Sequence, residues 1–121
     1  MDMPKHEAGP LLQKSFAFAV RMMKFHRHLQ ANEREFIVSK QMVRSATSIG
    51  ANAEEATGAI STADFTSKIS IAYKEARETS YWLRLLQAAG YVEEKLFLSL
   101  HDDCQQLCRI LYSILRSSGR A

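Results

Sequence analysis

The carboxylates are the first residues of this 121-residue chain that could do chemistry. Glu75 and Glu78 form a Glu-x-x-Glu step, and Glu54 and Glu55 precede them. Carboxylates on neighbouring helices are half of a di-iron centre, but such centres also need Glu-x-x-His from each of two helices. No Glu-x-x-His occurs in the chain. These carboxylates read instead as partners for Lys74, Arg77 or cations across a helix interface. His101, Cys104 and Cys108 fall at i, i+3 and i+7, a helical stripe of three zinc-competent side chains. A closed tetrahedral shell wants a fourth ligand, and spacing supplies none. Two buried cysteines and a rim histidine are the favoured reading, since free cysteine behaves as a small core residue. Nucleophile elbows and phosphate loops are missing: no G-x-S-x-G, G-x-x-x-x-G-K-[ST] or G-x-G-x-x-G is present. No catalytic residue, metal ligand or cofactor site is assigned, and the chain is not read as an enzyme.

The remaining chemistry is positive charge. Lys14, Arg21 and His28 are spaced by seven, and Lys24 and Arg27 flank them. Lys5, Lys14, Arg21, Lys24 and Arg27 face only Asp2 and Glu7 in the first thirty residues, so the whole formal charge of +3 sits there. A ring of identical subunits would multiply such a patch, and phosphate affinity grows with each neutralised charge. RNA or DNA is the partner this stripe suggests. The alternative is a solvated helix face, and a stripe of this kind does not read base sequence.

Helices must position these residues. Both prolines, Pro4 and Pro10, precede the first periodic segment, so residues 1–10 read as a loose N-terminal arm and residues 11–121 as one domain. The first helix is expected from about Leu11 to Gln30. Leu11, Phe18 and Phe25 interleave with Ser15, Met22 and Leu29 as a heptad seam, widened by Leu12, Phe16, Ala19 and Met23. Asn32 is placed to end it in a left-handed conformation. The second helix is expected from near Phe36 or Ser39 to Thr57, with Gly50 marking a close approach or a mild bend. The third has the clearest start, at Ser61 or Thr62 with Asp64 in its first turn. Phe65, Ile69, Ala72, Ala76, Thr79, Leu83 and Leu86 carry its seam to Gly90. The fourth is expected from about Glu93 to Ser118, with Leu100, Cys104, Leu107, Leu111 and Ile114 inward and Arg116 and Arg120 complementing its C-terminal dipole. Short connections make consecutive helices antiparallel, so the fold class is all-α, an antiparallel up-down-up-down four-helix bundle.

Apolar residues remain once that core is filled: Ile71, Tyr81, Trp82 and Leu85 on the third helix, Phe97 and Leu98 on the fourth. Outer-face aromatics are common at protein–protein contacts, and self-association is the preferred reading, with wide core packing as the alternative. Two cysteines at i and i+4 are a poor disulfide geometry and fit a reducing compartment. The N-terminus lacks the basic-then-apolar order of a signal peptide, and the apolar run from Phe16 to Met23 is too short to span a bilayer. The expected location is the cytoplasm, with no membrane partner.

Two segments carry a family resemblance. Gln41-Met42-Val43-Arg44-Ser45-Ala46-Thr47-Ser48-Ile49-Gly50-Ala51-Asn52-Ala53-Glu54-Glu55-Ala56 and the stretch from Phe65 to Leu86, with its Lys74-Glu75-Ala76-Arg77-Glu78-Thr79-Ser80-Tyr81-Trp82-Leu83 core, resemble the four-helix-bundle proteins encoded in intervening sequences of bacterial 23S ribosomal RNA genes. The resemblance spans about Phe16 to Leu115. It implies a four-helix bundle. Through the related accessory protein of diversity-generating retroelements, it also implies a homopentamer with nucleic-acid affinity or a protein partner such as a reverse transcriptase. It brings no enzymatic activity. The motif residues Gln41, Arg44, Ser48, Asn52, Glu55, Glu75 and Glu78 read as structural polar groups that fix helix register. Ala53 departs from the family, which often has isoleucine there.

Overall fold

The computed structural model describes the backbone of residues 5–118, with side chains from residue 9 onward. The described residues form four helices: α1 Lys5–Ala31, α2 Val38–Ala56, α3 Thr62–Ala88 and α4 Glu94–Ser117. Each packs on the next, and α1 closes the ring against α4. Contacts between neighbours run in opposite chain order. Lys14 reaches Gln106 and Arg21 reaches Asp103. Arg44 reaches Glu78, and Lys68 reaches Glu55. Ala76 meets Cys104, and Ser80 meets His101. Neighbouring helices are therefore antiparallel.

The expected seams face inward. Leu11, Ser15, Phe18, Met22, Phe25 and Leu29 are buried, as are all seven seam residues of α3 and all five of α4. Burying a leucine- or phenylalanine-sized side chain contributes about 1.5–3 kcal/mol, so these stripes carry the fold. The buried hydroxyls are satisfied locally: Ser45 donates to the Met42 carbonyl at 3.0 Å and Thr79 to the Glu75 carbonyl at 2.8 Å. The two hydroxyls lie 2.8 Å apart across α2 and α3; each has one proton, so one of them donates to the other in place of its own helix carbonyl. Gly50 marks close approach: a Cβ there would stand 3.3 Å from Ser15 Oγ of α1.

The helix ends follow from their caps. Ser61 Oγ accepts from Asp64 N–H at 3.0 Å, and the Glu93 carboxylate accepts from Leu96 N–H at 3.1 Å. Gly90, at φ 88°, lets Tyr91 N–H return to the Leu86 carbonyl and closes α3.

Several expectations need correction. The first helix starts at Lys5, not Leu11, so residues 5–10 of the segment read as an arm are helical; residues 1–4 lie outside the described residues. Pro10 lacks an N–H and gives up one ladder bond, yet its fixed φ is itself helical, so the helix passes through it. The left-handed residue after α1 is Arg34, at φ 54°, not Asn32. The chain reverses only there, which brings Glu35 N–H to the Leu29 carbonyl at 2.9 Å. Phe16 and Met23 do not widen the core; they are 72% and 56% exposed, because α1 meets only α2 and α4 and these residues point between neither. The second helix starts at Val38, so Ile37, inside the earlier of its two expected starts, is exposed ahead of the first turn. Of the surplus apolar residues, Trp82 and Phe97 pack against the core, while Ile71, Tyr81, Leu85 and Leu98 stay exposed. Arg120 lies outside the described residues.

Candidate nucleic-acid interface

The heptad spacing of Lys14, Arg21 and His28 puts them on the edge of α1 that faces α4. There the structure ties two of them down. Arg21 Nη1 pairs with Asp103 Oδ2 at 2.6 Å, and its Nη2 donates to Ser99 Oγ at 3.1 Å. Lys14 Nζ donates to Gln106 Oε1 at 3.0 Å, and Gln106 in turn donates to Asp102 Oδ2 at 2.8 Å. The positive charge of the first helix is thus partly answered by the acidic pair on α4.

Lys24, Arg27 and His28 are exposed, and among the described residues no carboxylate pairs with Lys24 or Arg27. His28 stacks on Phe25, with ring centroids 6.4 Å apart. Arg21, Lys24, Phe25 and His28 join Leu96 and Leu100 around a shallow groove of about 420 Å³ between α1 and α4. Arg27 does not line it. Six residues along a helix turn it by about 120° away from Arg21. It shares its side of α1 with Phe16, Val20 and Met23, which are exposed at i, i+4 and i+7. The five-residue stripe is therefore two surfaces: a groove edge with Arg21, Lys24 and His28, below which Lys14 is held by Gln106, and Arg27 beside an apolar strip.

The polar motif residues lie between α2 and α3. Arg44 bridges Glu75, at 3.2 Å, and Glu78, while its Nε donates to Gln41 Oε1 at 3.3 Å. The hydrogen bond to Glu78 leads in raising the Arg44 pKa, so its charge is permanent. Trp82 Nε1 donates to the same Glu78 carboxylate at 2.8 Å. Asn52 Nδ2 donates to Ser48 Oγ and to the Ser48 carbonyl, both at 2.9 Å, within α2. Glu55 pairs with Lys68 at 2.8 Å near the other end of the helix pair. Gln41, Arg44, Glu75 and Glu78 are thus one network, with Ser48–Asn52 and Glu55–Lys68 separate from it. Nothing in this network couples a nucleophile to a base. It joins α2 to α3 through Arg44.

His101, Cys104 and Cys108 lie along α4, but they make different contacts. His101 Nε2 meets Ser80 Oγ at 2.8 Å, and its ring stacks on Phe97. Cys104 Sγ donates to the Ala76 carbonyl at 3.3 Å. The neighbouring Cys108, reinforced by burial, raises the Cys104 pKa. Cys104 in turn lowers the Cys108 pKa against the effect of burial, with Arg77 and Arg109 adding to it. Among the described residues no three histidine, cysteine or acidic side chains converge as a metal site.

The sequence reading missed a second basic surface. Arg77 and Arg84 stand seven apart on α3, and Arg109 and Arg116 stand seven apart on α4. Arg77, Arg84 and Arg109 line a groove of about 430 Å³ between the two helices, with Tyr73, His101 and Tyr112. The signal was present as two heptad-spaced arginine pairs. It was hidden because net charge over that half of the chain is balanced by acids, of which Glu75 and Glu78 turn toward α2 and Asp103 toward α1.

The model of the 23S rRNA-intervening sequence protein family matches residues 10–113 of the chain. Among solved structures, a protein of unknown function from the S23 ribosomal protein family of Bacteroides thetaiotaomicron is similar, with a TM-score of 0.89 and 42% sequence identity. That match covers 91% of this chain and 98% of the other. No curated protein matches.

Proposed function

The chain belongs to the 23S rRNA-intervening sequence protein family, and on that basis we propose that it is a non-enzymatic, homo-oligomeric protein that binds RNA or DNA through the basic face of α1. The observation that carries this reading is the pair of exposed cations Lys24 and Arg27, which no carboxylate of the described residues answers, beside the Arg21–His28 groove. Phosphate contacts of this kind supply affinity without reading sequence. Assembly is supported by Phe16, Val20 and Met23, an exposed apolar strip on α1, which packs only on α2 and α4. Contiguous apolar surface of this sort marks association sites. A ring that buries the strip would bring copies of Arg27 and Lys24 together. A pentamer is the ring size that family resemblance implies.

Titrating the protein into a generic RNA at rising salt tests the binding. Lys24→Glu with Arg27→Glu is expected to weaken it and to flatten its salt dependence. Binding that is absent at low salt, or unchanged in that variant, overturns the reading. Light scattering tests the assembly: a monomer, or an oligomer indifferent to Met23→Glu, overturns it. The same apolar strip also suits a second reading, a protein-interaction adaptor. A polypeptide partner retained from native cells after nuclease treatment favours it.

A further inference from the structure

Arg77 and Arg84 on α3 and Arg109 and Arg116 on α4 have no carboxylate partner among the described residues. The two on α3 contact aromatic rings instead. Arg77 Nη1 donates to Tyr73 Oη at 3.0 Å, and the Arg84 guanidinium lies 5.8 Å from the Tyr81 ring centre. Tyr73 of α3 and Tyr112 of α4 meet across the groove, with centroids 5.9 Å apart and planes tilted by 42°. Arginines gathered without counter-ions repel one another, and a low-dielectric wall behind them focuses their field on the groove. Two neighbours register that field. The His101 pKa lies below its ordinary value, through burial and then Arg84. Arg77 and Arg109 contribute to lowering that of Cys108, after its hydrogen bond with Cys104.

We propose that the α3–α4 groove is a nucleotide-binding site, with a phosphate held among Arg77, Arg84 and Arg109 and a base laid against the Tyr73–Tyr112 pair. The guanidinium fork matches phosphate oxygens two at a time. Aromatic faces accept any base, so the combination suits single-stranded nucleic acid or a free mononucleotide. A volume of about 430 Å³ is of the size that holds a small ligand. The site extends the nucleic-acid reading to a second surface, and it stands or fails independently of the α1 face.

Anisotropy of a labelled single-stranded oligoadenylate tests it, on the full chain, across a salt series. Each phosphate contact on a single strand adds about 0.7 to the salt slope. That is about fivefold in affinity between about 1 M and about 0.1 M salt. With one phosphate in the groove, Arg77→Gln with Arg109→Gln is therefore expected to bind roughly fivefold more weakly at about 0.1 M salt, with a slope shallower by about 0.7. Arg109→Lys keeps the charge and is expected to keep the slope while losing affinity. Helical content by circular dichroism confirms that each variant is folded. Unchanged affinity in the double glutamine variant overturns the groove, including when Lys24→Glu/Arg27→Glu abolishes binding and the α1 face survives. The reverse pattern upholds the groove and overturns the α1 face. Adenosine monophosphate as competitor separates the two sources. Displacement points to a free nucleotide. No displacement, with the arginine loss intact, points to a nucleotide within a strand. Poly-L-glutamate that displaces the oligoadenylate as well as unlabelled oligoadenylate of equal charge overturns the nucleotide assignment in favour of an acidic polypeptide.

Discussion

Glu35 caps α2 from outside the helix. Its carboxylate accepts three successive backbone N–H groups, from Ile37 and Val38 at 3.2 and 3.0 Å and from Ser39 at 2.6 Å. Ser39 Oγ returns a bond to the Glu35 carbonyl at 2.8 Å. Glu35→Ala strips those donors of their acceptor. Loss of an N-terminal cap costs about 0.5–2 kcal/mol, and bonds to a charged group sit at the upper end, so about 1.5–2 kcal/mol is expected. A chain of this length has an unfolding entropy of roughly 0.25 kcal/mol/K, so the Tm should fall by about 6–8 °C. Glu35→Gln keeps one carbonyl acceptor and should lose about half as much. The pH dependence gives an independent readout. Partial burial disfavours the carboxylate, but the bonds from Ser39, Val38 and Ile37 outweigh it and hold the pKa below its ordinary 4.5. A folded-state pKa below the unfolded value means the unfolded chain binds the proton more readily. The carboxylate's contribution is thus present above 4.5 and lost as pH falls through the folded-state value. Thermal melts of the three proteins at matched concentration, from neutral pH downward, measure both effects. A Tm loss under about 2 °C, or a gap between the parent and Glu35→Gln that persists at about pH 2, would refute the cap as the feature that starts α2.

Three further outcomes follow from the same geometry. Arg34→Gly should raise the Tm by about 2–4 °C, since a Cβ in the left-handed region costs about 1–2 kcal/mol and glycine's extra entropy recovers only part of it; a lower Tm would contradict this. Ser45→Ala and Thr79→Val should show a coupling of about 0.5–1.5 kcal/mol in a denaturant double-mutant cycle, because the hydroxyl–hydroxyl bond across α2 and α3 is lost in either single variant; additive effects would count against the shared bond. Asp103→Asn releases Arg21 from its ion pair, so RNA affinity at low salt should rise by a few fold if the α1–α4 groove contacts phosphate; no change in a binding assay would remove Arg21 from the interface.

Much of the fold was legible because it depends on local periodicity. The α3 seam from Phe65 to Leu86 and the α4 seam from Leu100 to Ile114 repeat every three or four residues, and only one face of such a helix can be buried. Ser61 and Gly90 were readable as caps, and Glu93 as the start of α4, since each acts on its own helix within one turn. Glu35 was not, because it caps from ahead of the helix, through a chain reversal that turns at Arg34. Phe16 and Met23 were misplaced because periodicity counts apolar faces without knowing how many neighbours a helix has.

The candidate sites divide the same way. Residue type and heptad spacing alone established that Lys14, Arg21 and His28 share one edge of a helix, and that no Glu-x-x-His, phosphate loop or nucleophile elbow exists. Whether a cation is free is not a property of its own helix. Asp103 and Gln106 come from the far end of the chain to occupy Arg21 and Lys14, while Arg77, Arg84 and Arg109 meet no carboxylate because the acids near them in sequence turn toward other helices. Charge is additive along the sequence, but its field falls off with distance in space, so only the packing of α1, α3 and α4 decided which arginines remain available to a partner.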